Sequence, residues 1–177
     1  MEDILETAYQ YWQSYSVVGR AHYIAWEKTA RKNRWLGVPV IITTTVVGTA
    51  IFGTLQESPH VAWKIAAGLL SLSAAVLSAL QTSLKYSELS EKHKTAGAKY
   101  AAMRRRLDVF ILKYRNEPEE KRQSALKEFE EIATQFGKLA EETPSIPDKV
   151  YDQAAREFQK KDERPGTILN EEHDKQR

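Results

Sequence analysis

Cysteine is absent from all 177 residues. That excludes a disulfide framework, a thiolate nucleophile and a thiolate metal site, and it fits a reducing compartment. A strong charge excess is also missing. The net charge is only +2, whereas a dedicated nucleic-acid binder carries a marked basic surplus, so no direct nucleic-acid binding is expected. Neither G-x-G-x-x-G nor G-K-[ST] occurs, which removes the glycine-rich phosphate cradles. The four histidines, His22, His60, His93 and His173, lack metal-ligand spacing, and no nucleophile elbow is present. The chain is therefore expected to be no enzyme, with no catalytic residues, no cofactor and no metal. Residues 1–20 are polar, acidic and aromatic rather than basic and then apolar, so a signal peptide is not expected there. There is no internal repeat and no convincing strand pattern.

Two long runs without any charge stand against these absences. Residues 35–56 and residues 65–84 contain no Asp, Glu, Lys or Arg. At about 1.5 Å per residue they reach about 33 Å and about 30 Å as helices, enough for a hydrocarbon core about 30 Å thick. The connector ESPHVAWK places Ser58 and Pro59 at a turn. The pattern predicts a transmembrane hairpin over 35–84, with spans at about 35–56 and 63–84. Arg31, Lys32 and Arg34 precede the first run, and Lys85, Lys92, Lys94, Lys99 and Arg104 to Arg106 follow the second. The connector offers only Glu57, His60 and Lys64. This asymmetry puts both termini in the cytoplasm. Trp35, Trp63 and Tyr86 sit where an interfacial aromatic belt would lie.

A soluble bundle is the competing reading. The first run holds Thr43, Thr44, Thr45, Thr49 and Thr54, and the second holds Ser71, Ser73, Ser78, Gln81, Thr82 and Ser83. A soluble helix, however, normally keeps a charged face. Pro39 is costly inside a soluble helix and better tolerated in a membrane.

The rest reads as helix. Residues 1–34 form an N-terminal cytoplasmic amphipathic helix whose apolar positions recur at three- and four-residue steps from Ile4 to Ala30. Residues 85–160 form a cytoplasmic helical region. Its first helix runs on from the second span to about Tyr114, NEP at 116–118 breaks it, another runs from about Glu119 to Glu142, and TPSIP precedes a last helix opened by Asp148. Residues 161–177 read as a charged, mobile tail. The predicted fold class is an all-α membrane protein, a two-helix transmembrane hairpin continuous with a cytoplasmic helical bundle. Charge is uneven along it: residues 1–115 hold 15 Lys/Arg against 8 Asp/Glu, a net of +7, and residues 116–177 hold 11 against 16, a net of −5. A basic surface near something anionic, followed by an acidic end facing water, is the implied arrangement.

Three groups of residues invite a functional reading. On the second span, Lys64, Gly68, Ser71, Ala75, Ser78 and Thr82 fall on one small, hydroxylic face, with Gln81 at its edge and leucines opposite. Such a face serves close helix packing or lines a weakly polar path. The first span has a looser stripe through Thr45, Thr49 and Gly53. One hairpin cannot enclose a path, so a pore requires a homo-oligomer in the lipid bilayer. His22 and His93 lie on or beside the apolar sides of their helices, as a buried histidine bonded to a neighbour, a contact between the two helices, or a pH-sensitive switch. Arg104, Arg105 and Arg106 point in different directions on a helix, as a solvated face or as contacts to anionic lipid or a phosphate-bearing ligand. On a straight helix Arg104 lies about 30 Å beyond Leu84, which favours intersubunit pairing or ligand binding over lipid contact.

The chain resembles the SLATT family, the two-helix membrane effector domains of bacterial conflict systems. The likeness rests on GRAHYIAWEKTARKNRWLGVPV leading into the first run, SALQTSLKYSELSEKHKTAGAKYAAMRR leaving the second, and PSIPDKVYDQA near the end. It covers roughly residues 5–160. It implies a bacterial inner-membrane effector of antiphage defence that permeabilises the membrane and kills or arrests the infected cell. It also implies a partner such as a sensor, a nucleotide synthase or a reverse transcriptase, or a nucleotide second messenger as trigger. A non-conducting membrane scaffold is the alternative. The resemblance transfers no catalytic residue.

Overall fold

The computed structural model describes the backbone of residues 1–54 and 61–161, and side chains through residue 49 and from 61 to 160. The connector turn at Ser58 and Pro59, the surroundings of Gly53, and the tail beyond residue 161 lie outside the described residues. Every described element is helical, and no strand occurs among them.

Helix α1 (Glu2–Thr54) takes in both the N-terminal amphipathic segment and the first charge-free run. Glu2 and Asp3 in its first turn complement the exposed N–H groups and the positive end of the helix dipole. Pro39 lies inside it without ending it. The threonines expected to disfavour an apolar helix turn inward on the backbone. Thr44 and Thr45 donate to the carbonyls of Val40 and Ile41, and Thr49 donates to that of Thr45, at 2.7 to 2.8 Å. Such bonds satisfy each hydroxyl without a partner from outside.

Helix α2 (Val61–Leu84) holds the second run, and helix α3 (Tyr86–Tyr114) follows it. They are not one helix. Lys85 separates them with φ at 46°, in the left-handed region. The second apolar run thus passes into α3 through a break of a single residue. A lysine in that region costs about 1 kcal/mol relative to right-handed backbone.

After α3 a short 3-10 turn (Glu119–Lys121) leads into α4 (Arg122–Glu142). Thr143 is extended, as a residue before proline must be, and ends α4. Helix α5 (Asp148–Lys161) opens with Asp148 directly after Pro147, whose carbonyl accepts from the N–H of Val150.

The chain divides into two compact units: Met1–Trp26 together with the chain from Glu91 onward, and Glu27–Ser90. The first unit has an aromatic core. Ile4, Ala8, Trp12 and Tyr15 of α1 meet Tyr100, Leu107 and Phe110 of α3 and Phe129, Ile132 and Leu139 of α4. A second cluster joins Val17, Ala21 and Ile24 of α1 to Val150 and Ala154 of α5.

The second unit is built differently. Ala74 is the buried residue of α2, and Ala67, Leu70, Leu77 and Gln81 are half-buried beside it at three- and four-residue steps. On α1 from residue 31 to 49 the half-buried positions are Asn33, Leu36, Gly37, Pro39, Val40, Thr43, Val47 and Gly48. These stripes meet where Gln81 lies against Gly37, and outside them the Lys32 ammonium of α1 sits 5.6 Å from the ring centre of Tyr86 at the start of α3. Large apolar side chains elsewhere in this unit stay uncovered, among them Trp35 (76 % exposed), Trp63 (69 %) and Leu69 (63 %). In water such a surface would cost about 25 cal/mol per Å². The segment Val61–Tyr114 contains a stretch long and apolar enough to cross a membrane, with only 6 % of it buried. A soluble core helix would be mostly covered.

Candidate functional site

The first unit brings the two singled-out histidines together. His22 stands on α1 about two helical turns beyond Tyr15, and His93 stands on α3 about two turns before Tyr100. Their Nδ1 atoms are 3.0 Å apart, and both side chains are buried, at 1 % and 3 % exposure. At that distance one Nδ1 donates its proton and the other accepts, so the two rings hold opposite tautomers. Burial pushes the His22 imidazole down to about 4, and the neighbouring His93 adds to that shift. Burial lowers His93 as well. The pair is thus neutral at physiological pH. Among the described residues no group of three or more His, Asp or Glu is placed to hold a metal.

Glycine lets the helices come this close. A Cβ on Gly19 would stand 3.2 Å from the Cβ of Tyr100, and one on Gly97 would stand 3.1 Å from the Tyr23 ring. Around the pair is an aromatic box. The Tyr100 ring stacks on His22 at 5.3 Å, and Tyr15 stacks on Phe136 at 4.5 Å. The Tyr15 hydroxyl is buried with no hydrogen-bond partner among the described residues, and burial raises its pKa. Gly19 and Tyr15 lie within the amphipathic segment of residues 1–34, but nothing in the sequence signals the close approach or the stranded hydroxyl. Both depend on what the second helix presents.

The three arginines go to three environments. Arg104 is half-buried with its guanidinium 5.7 Å from the Trp12 ring centre. Asp108 accepts a 2.6 Å hydrogen bond from Trp12 Nε1, and burial raises the Asp108 carboxyl. Arg106 is exposed and donates to Gln135 of α4, and Arg105 is exposed. A groove of about 440 Å³ between α1 and α5 is lined by Tyr9, Gln10, Gln13, Ser14, Tyr151 and Gln159, and none of the three arginines lines it.

In the second unit Lys64, Gly68, Ser71, Ala75, Ser78 and Thr82 are all exposed. They lie about 100° around α2 from the stripe that faces α1. Gln81 belongs to that stripe rather than to the exposed face. Thr45 and Thr49 of α1 are exposed too.

Among the described residues every element is helical, and the apolar stretch of membrane length in Val61–Tyr114 is almost wholly uncovered, as in a membrane-associated protein. Over residues 15–168 the chain matches the SMODS and SLOG-associating 2TM effector domain family 4, and it belongs to that family. It is therefore a membrane effector domain of conflict systems, in a family not known for enzymes. No curated protein and no solved structure matches the chain.

Proposed function

We propose that the chain is an antiphage effector of the bacterial inner membrane. The two charge-free runs span the bilayer as a hairpin with both termini in the cytoplasm. Several copies assemble, and the assembly permeabilises the membrane to arrest or kill the infected cell. The observation that carries this reading is the exposed hydroxylic face of α2, from Gly68 to Thr82, left uncovered by α1 in a family of two-span effectors. In an oligomer it turns to the next copy or to a weakly polar path. The trigger comes from a partner of the kind for which the family is named, or from a nucleotide second messenger, with the exposed Arg105 and Arg106 as contact residues.

Dye release from liposomes tests this. Wild-type protein with its trigger releases dye, and Ser71→Leu or Ser78→Leu suppresses release if the face lines the path. No release from correctly inserted protein under any trigger would sink the pore.

One observation favours a non-conducting scaffold instead. The hydroxyls of Thr45, Thr49 and Thr82 are already taken by carbonyls of their own helices, so they offer less to ions or water. On that reading the protein is harmless when expressed without partner genes.

A further inference from the structure

We infer that the second unit carries a cationic collar that binds the headgroups of anionic phospholipids. The inference rests on the membrane-spanning reading above. The collar is formed by Arg31, Lys32 and Arg34 of α1 and by Lys85 between α2 and α3. All four are exposed. The contact between the Lys32 ammonium and the Tyr86 ring, at 5.6 Å, brings the α1 cluster to the end of α2 where Lys85 stands. The four thus gather at one end of the two apolar helices rather than along them.

Several cations of the first unit are paired: Arg20 with Glu157, Lys99 with Glu142, Lys113 with Glu128, and Arg122 with Asp3. Among the described residues none of Arg31, Lys32, Arg34 and Lys85 has a carboxylate within ion-pair distance. Four clustered cations without anionic partners, bordering exposed apolar Trp35 and Leu84, attract anions from outside the chain. A phosphate attached to acyl chains meets both demands at once. The phosphate reaches the cations while the chains cover Trp35 and Leu84. A free phosphate meets only the first. Each basic side chain near an anionic leaflet favours association by about fivefold, and the attraction fades within a Debye length.

Tryptophan quenching reads this directly. Full-length Trp63→Phe protein is reconstituted in vesicles containing brominated phosphatidylglycerol or brominated phosphatidylcholine at equal mole fraction and fixed ionic strength. Of its tryptophans, Trp12 is buried and Trp26 half-buried, so Trp35 dominates the lipid signal. Quenching by the anionic lipid is expected to exceed that by the zwitterionic lipid at least several-fold, since four basic side chains contribute. The variant Arg31→Gln/Lys32→Gln/Arg34→Gln/Lys85→Gln is expected to bring the ratio close to one. Equal quenching in the parent protein overturns the collar, as does a preference that persists in the glutamine variant. Loss of the preference on adding inorganic phosphate overturns the commitment to lipid. Absence of quenching by either lipid overturns the membrane reading itself, a separate outcome. Far-ultraviolet circular dichroism of the glutamine variant in the same vesicles verifies that its helices are intact.

Discussion

Acid should loosen the first unit through the histidine pair. His22 is buried as a neutral ring with its pKa pushed down to about 4, against about 6.5 when unfolded. The sign follows from proton counts. Below pH 6.5 the unfolded chain binds a proton that the folded chain refuses until about pH 4. Stability from this group is therefore full above pH 6.5 and falls as the pH drops from 6.5 toward 4. Between pH 7 and pH 5 the loss from His22 alone is about 2 kcal/mol. His93, lowered in the same direction, adds to it. A second proton also has no place between two Nδ1 atoms 3.0 Å apart, because both nitrogens would then be donors. Carbon-13 shifts of the imidazoles in detergent, assigned with single His→Gln variants, should show His22 titrating near 4 and His93 below its ordinary value. Hydrogen exchange of the α1 and α3 amides, corrected for intrinsic rates, should show opening free energies about 2 kcal/mol smaller at pH 5 than at pH 7. His22→Phe, which keeps a ring against Tyr100, should lose most of that slope. Titration of His22 near 6.5, or equal slopes in wild type and variant, would refute the reasoning.

Further outcomes follow from close contacts, a stranded hydroxyl and backbone strain. Gly19→Ala should lower stability by about 1 kcal/mol in thermal unfolding, because the new methyl meets a buried Tyr100 Cβ at 3.2 Å and outweighs the gain in helix propensity. Gly97→Ala should be close to neutral, since the half-buried Tyr23 ring can swing aside; equal losses at the two positions would count against the close-approach account. Tyr15→Phe should raise stability by about 1 kcal/mol by removing a stranded buried hydroxyl, and a loss would reveal a partner for it. Lys85→Gly should raise stability by about 1 kcal/mol by relieving the left-handed backbone at φ 46°, with no gain expected from Lys85→Ala.

Local rules made much of the architecture legible. Hydrophobic periodicity marked α1, α3 and α4, and proline placed the breaks, with Thr143 extended before Pro144 and α5 starting after Pro147. The missing charge in 35–56 and 65–84 gave the two apolar segments, because burying an unpaired charge in hydrocarbon costs too much for a span to carry one casually. The break at Lys85 was not legible: lysine has no preference for left-handed backbone, so nothing local announces it.

The candidate site divides along the same line. The sequence by itself determined that His22 and His93 lie on or beside the apolar sides of their helices, that α2 has one small hydroxylic face, and that Arg104 to Arg106 diverge, since each follows from 100° per residue. Only the tertiary structure decided that the two imidazoles share one proton, that Arg104 is committed to Trp12 while Arg105 stays exposed, and that the hydroxylic face of α2 turns away from α1. Which faces meet depends on how two helices approach each other. At the α1–α3 crossing that approach is set by Gly19 and Gly97, whose missing side chains show their effect only when a second helix arrives.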